Sequence, residues 1–88
     1  MKTVYLLTAE HFSVPGTIEK VFLNHDNAVN EAIRLVQLLL DDTSDFEPEE
    51  SLTANTWQDI ADDLENHHVG DCFVNLREID LEDAESSQ

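Results

Sequence analysis

The stretch Asp41-Asp42-Thr43-Ser44-Asp45 is the first in this 88-residue chain whose residue types could do chemistry, because carboxylates at this density attract a divalent cation. A calcium loop of the EF-hand kind alternates its ligands, with Gly at the sixth place and Glu at the twelfth. Those places hold Phe46 and Leu52 here, so the pattern fails. His67 and His68, with Asp71 nearby, invite a zinc reading, but ligands on one helix face need a spacing of three or four. Adjacent residues diverge, and the pair reads better as a polar helix end whose protonated rings suit the helix dipole. His11 and His25 stand alone in the sequence. Cys72 and His68 could be drawn as a nucleophile and its base. Yet Cys72 sits in an apolar segment, where a free thiol is usually a small core residue, and an electronegative neighbourhood raises its pKa. There is no Gly-rich phosphate loop and no Gly-x-Ser-x-Gly, and the chain has only two glycines. With twenty carboxylates some close pairs are inevitable, so a pair carries no catalytic information. No catalytic residues, metal ligands or cofactor are expected, and the chain reads as non-enzymatic.

Charge is the stronger signal. Twenty Asp and Glu against four Lys and Arg give a net charge of −16. Binding to nucleic acid or to an anionic membrane through a basic patch runs on Lys and Arg, so neither direct mode is expected. The distribution is uneven. Residues 1–40 carry four acids against Lys2, Lys20 and Arg34, whereas residues 41–88 carry sixteen acids against Arg77 alone. At 41% apolar and with clear periodicity, the chain is not a disordered acidic tract. One cysteine allows no internal disulfide and points to a reducing, cytoplasmic setting. The N-terminal apolar stretch is too short for a signal peptide, and the run Leu38-Leu39-Leu40 is far short of a membrane span.

The elements that must position these charges follow from periodicity. Residues 3–9 and 17–23 are rich in β-branched and aromatic types and read as strands. The seven residues between them, with Pro15 and Gly16, read as a wide hairpin connection. Asn24 or Asp26 caps a helix over about 26–41, whose apolar stripe includes Val29, Ile33, Val36 and Leu40. Residues 41–55 read as a loop that like charges keep from compacting. A second helix runs over about 56–67, with Thr56 as N-cap in a near capping box with Asp59 and with Trp57, Ile60, Ala61 and Leu64 on one face. Gly70 suits the helix exit. Residues 71–81 read as a third strand with a phase change: Cys72, Val74 and Leu76 share one face, Ile79 and Leu81 the other. Either the strand bulges near Arg77 and Glu78, or its later half faces a different surface. The expectation is a single α+β domain over 1–82, two-layer β-β-α-α-β, with a polar tail at 83–88. Its three-stranded sheet carries both helices on one face, and the third strand pairs with the first.

On that scaffold, Asp41, Asp42, Asp45, Glu47, Glu49 and Glu50 crowd the loop, Asp59, Asp62 and Asp63 lie on the second helix away from Ile60 and Leu64, and Glu65 lies on an adjacent strip. Carboxylates at i, i+3 and i+4 repel by a few tenths of a kcal/mol per pair, with no basic residue interleaved to relieve them. A basic partner would turn that cost into a gain, and the field would steer it in. Phe46, or Trp57 if incompletely buried, would add an apolar anchor. The competing readings are a solvated or halophilic surface, loose divalent-cation binding, and an adaptor or assembly protein that uses an apolar patch or a sheet edge.

The opening Lys2-Thr3-Val4-Tyr5-Leu6-Leu7, the helix Asn27-Ala28-Val29-Asn30-Glu31-Ala32 and the acidic stretches 41–50 and 59–65 loosely resemble the small acidic inhibitors encoded by phages and mobile elements, anti-CRISPR and anti-restriction proteins among them. The resemblance lies in general layout and covers no specific motif. It implies a nucleic-acid mimic acting in a host cytoplasm, with a basic nucleic-acid-binding protein or nuclease complex as partner.

Overall fold

A computed structural model describes residues 3–80; the expected tail at 83–88 lies outside them. The chain runs β1 (Thr3–His11), β2 (Val14–Phe22), α1 (His25–Asp41), α2 (Trp57–His67) and β3 (Phe73–Asp80). The sheet order is β2-β1-β3, and both pairings are antiparallel. This is the expected α+β arrangement, with the third strand beside the first.

The register sorts the side chains. Leu7 lies opposite Lys20 and Leu76, and Ala9 opposite Ile18 and Val74, so these residues share the inner face. Both helices close over it. Ala28, Val29, Ala32, Leu35, Val36 and Leu39 of α1 are buried, as are Trp57, Ile60, Ala61 and Leu64 of α2. Leu7, Val36, Leu64 and Cys72 are the largest fully buried side chains. Val4, Leu6, Val21, Phe73, Arg77 and Ile79 share the opposite face, which neither helix covers. The β1–β3 register is unbroken from Thr3–Asp80 to Glu10–Phe73. Of the two explanations for the phase change, no bulge forms; Ile79 lies on the open face beside Phe73.

Three local expectations need correction. The hairpin is tight: β1 extends to His11 and β2 begins at Val14, with only Phe12 and Ser13 between. Pro15 and Gly16 sit inside β2, where the register shifts against Glu10 and His11, and Gly16 takes a φ of 96°. Turn chemistry here makes a strand irregularity, because Pro has no ladder N–H and Gly alone tolerates that φ freely. Thr56 precedes α2 without capping it by its side chain, so no capping box with Asp59 forms. Its hydroxyl instead donates to the Ser51 carbonyl and accepts from the Thr53 N–H. Residues 42–56 are packed down: Thr43 is buried, and Phe46 and Leu52 rest against the core. Asn24 caps α1 as expected, its Oδ1 accepting from the Asn27 N–H at 3.1 Å.

Lys20 and Arg34 are both committed to Glu31. Lys20 Nζ lies 2.7 Å from Glu31 Oε2, and Arg34 donates to both carboxylate oxygens. The Glu31 carboxyl is held at about 2, well below its ordinary value. Arg34's hydrogen bonds are the main cause, burial opposes them, and Lys20 assists. A carboxylate with a lowered folded pKa contributes stability above its unfolded pKa and loses it as pH falls through the folded one. Glu31→Gln should therefore cost about 1–2 kcal/mol at pH 7, discounted for two half-exposed partners. In urea melts the gap between the proteins should shrink steadily from about pH 4.5 to pH 2. A gap unchanged at pH 2 would refute this account.

Candidate functional site

Every acid expected on α2 is exposed: Asp59, Asp62, Asp63 and Glu65 all face solvent. None of them makes an ion pair among the described residues. Among the described basic residues, Lys20 and Arg34 are held by Glu31 and Arg77 is on the far face of the sheet. At a rise of 1.5 Å per residue, these four carboxylates span about 9 Å of helix axis, near one charge per 3 Å. One strand of duplex DNA carries one per roughly 3.4 Å. Asp59 and Asp62 also line a shallow depression with Asn75 and Leu76 at the β3 edge.

The start of the loop is held by three histidines, His11 of β1 and His67 and His68 at the end of α2. His11 Nε2–H donates to Asp42 Oδ2 at 2.7 Å, and His67 Nε2–H donates to Asp45 Oδ1 at 3.1 Å. Thr43 has one hydroxyl hydrogen, and it goes to the Leu39 carbonyl at 2.8 Å. Its oxygen therefore accepts from His68 Nε2–H, also at 2.8 Å. His11 accepts at Nδ1 from the Ser13 N–H at 3.0 Å, which fixes its ring proton on Nε2. The rings form a continuous column. His11 stacks on Phe12 at 4.4 Å, Phe12 on His68 at 4.0 Å, His68 meets His67 edge-on at 5.2 Å, and His67 covers Phe46 at 5.4 Å. The hydrogen bond from His67 holds the Asp45 carboxyl below its ordinary pKa, with a local backbone hydrogen bond assisting.

Thr43 is thus fastened at the C-terminal end of α2, while residue 56 abuts its N-terminal end. The intervening loop therefore connects the two ends of the helix. Asp41 is bound by Gln37 Nε2 at 2.9 Å, whereas Glu47, Glu49 and Glu50 are exposed. The turn that completes the arrangement is strained. Gly70 donates to the Glu65 carbonyl at 2.8 Å with a φ of 85°, as expected of a helix exit, but Val69 before it has a φ of 56°. A branched side chain in that region costs roughly 1–2 kcal/mol.

Two expected contributors are placed otherwise. Trp57 is 3% exposed and is core, so it offers no surface anchor. Phe46 is half-buried against the core beneath His67. His11, His67 and His68, which the sequence left apart or diverging, are the residues that organise the loop. Only the adjacency of His67 and His68 hinted at this.

His68 spends its Nε2–H on Thr43 and Cys72 is fully buried, its Sγ 3.6 Å from the Leu64 carbonyl. Burial, with Glu65 and Asp71 adding, pushes the thiol up to about 11, which leaves it un-ionised at neutral pH. Among the described residues, no three His, Cys, Asp or Glu side chains converge as a metal ion requires, and no helix is long and apolar enough to cross a membrane.

His68→Ala should free the loop. The expected result is about 1–2 kcal/mol of lost stability and faster amide exchange over residues 43–50, with α1 still protected. Unchanged exchange there would show that the ring column does not hold the loop. Compared with known proteins, the chain matches no family model, no curated protein and no solved structure.

Proposed function

We propose that this protein is a non-enzymatic inhibitor that occupies the basic nucleic-acid-binding surface of another protein, in the manner of a nucleic-acid mimic. The observation that carries this reading is the set Asp59, Asp62 and Asp63, with Glu65 on an adjacent strip, exposed, without an ion pair among the described residues and at an axial charge density close to that of one DNA strand. The loop acids Asp41, Asp42, Asp45, Glu47, Glu49 and Glu50 extend the same field, which draws a cationic partner and rejects nucleic acid and anionic membranes. A restriction or CRISPR nuclease complex has a groove of the required chemistry. The protein works in the cytoplasm under this reading, because its buried thiol needs no oxidising compartment.

The test is capture of partners from nuclease-treated host lysate on the immobilised protein, with elution at graded salt. The retained protein should bind nucleic acid when free, and added duplex should displace it. A second reading, an adaptor that binds through an apolar patch or a sheet edge, is favoured by Val21 and Leu23, on and just after the edge strand β2, which are 63% and 71% exposed. Affinity indifferent to salt would sink the mimic and move the assignment to that patch or edge.

A further inference from the structure

Between the last turns of α1 and the β1–β2 hairpin lies a groove of about 240 Å³. Its floor is apolar: Ala9 and Ile18 from the sheet, Leu35, Leu38 and Leu39 from α1, and Val74. It exists because α1 reaches β1 and β3 but leaves the inner side of β2 near Ile18 only half covered. The volume is below the roughly 300 Å³ at which sites for drug-sized ligands begin, and it suits one or two inserted side chains.

The surroundings of the groove select its occupant. No Lys or Arg lines it. His11 stands on its rim and is already bonded to Asp42. α1 ends beside it in Asp41, followed by Asp42, with no basic residue in the last turn. Those acids sit at the negative pole of the helix dipole, an unfavourable placement that an external cation would relieve. A second copy of this chain matches it poorly. Each copy carries a net charge of −16, which opposes self-association at an acidic rim, and Lys20, the basic neighbour in sequence of the exposed Val21, is held by Glu31.

We infer that the groove receives an apolar side chain of the basic partner, flanked in that partner by Lys or Arg that meet Asp41, Asp42 and the α1 C-terminus. This rests on the reading of a basic partner and deepens it. The apolar anchor belongs to the partner, and this chain supplies the socket.

The experiment titrates the full isotope-labelled chain with three short peptides and follows amide shifts. One carries Leu between flanking pairs of Arg, one has Ser in place of that Leu, and one has Leu between glycines. The Leu–Arg peptide should bind about tenfold more tightly than its Ser counterpart and shift Ile18, Leu35 and Leu38. Leu38→Gln should erase that preference and leave the charge-driven binding of both Arg peptides. Leu38 is 42% exposed, so the variant keeps its fold, as circular dichroism would verify. Equal binding of the two Arg peptides, with shifts confined to α2 and the loop, would overturn the socket and leave the basic-partner reading standing. No binding of either Arg peptide at low salt would overturn both. Equally tight binding of the glycine-flanked peptide, or groove shifts that grow with protein concentration alone, would overturn the occupant assigned here.

Discussion

Replacing Asp59, Asp62 and Asp63 together with Lys abolishes partner binding while the domain stays folded; that is the result expected of the mimic. The three side chains are exposed and touch no cation among the described residues, so the fold loses no contact. Each exchange adds two units of charge and the set takes the net charge from −16 to −10. Three Lys at i, i+3 and i+4 repel one another as three Asp do, and Asp59 leaves the first turn of α2, where an acid suits the helix dipole, so stability should change by no more than about 1 kcal/mol. The partner meets three cations where it needs anions. Close charge pairs at interfaces couple by roughly 1.5 kcal/mol or more, so a loss of at least ~100-fold is expected, most of it regained by no change of salt. Wild-type binding should weaken steeply from about 50 to 300 mM salt, because exposed charges are screened over roughly a Debye length. Calorimetry with the captured partner decides the matter. A reversed variant that binds like wild type would remove α2 from the interface.

Trp57→Ala should have the largest effect on stability, about 3–5 kcal/mol, the cost of emptying a large aromatic site that cannot fully collapse. A domain of this size has a total of roughly 4–13 kcal/mol, so a substantial part of the variant could be unfolded at 37 °C. Gln58→Ala, on the exposed side of the same helix turn, should be nearly silent. The pair separates a core role for Trp57 from a contact role. Trp57→Phe should retain both fold and binding. If Trp57→Ala melts like wild type yet fails to bind, the indole is a partner contact and its assignment to the core is wrong.

Some of this was legible along the chain and some was not, for physical reasons. The two helices declare themselves because the 3.6-residue period of Val29 to Leu40 and of Trp57 to Leu64 is local. The alternation of Val74 and Leu76 is equally local, but the meaning of the phase change at Arg77 and Glu78 is not. A bulge and a change of face give the same string of residues, and only the unbroken pairing with β1 distinguishes them. Pro15-Gly16 is ambiguous in the same way, since the same dipeptide ends a strand or interrupts one. Beyond the adjacency of His67 and His68, the histidine column left no mark in the sequence. His11 and Asp42 are 31 residues apart, His68 and Thr43 are 25 apart, and His67 and Asp45 are 22 apart, and no period links them.

The same division holds for the charge. The sequence by itself determined that sixteen of the twenty acids follow residue 40 and that α2 would carry a row of them, because counts and helical spacing are properties of the chain. Only the tertiary structure decided that the basic residues among those described would be taken elsewhere. Lys20 and Arg34 come from different elements and meet on one buried-side carboxylate, Glu31, while the sheet carries Arg77 to the far face. It likewise decided that the start of the acidic loop is held down by histidine hydrogen bonds from β1 and the end of α2, when its like charges alone would have pushed it away. Pairing between distant charges and rings depends on where packing brings backbones together, and no local pattern encodes that.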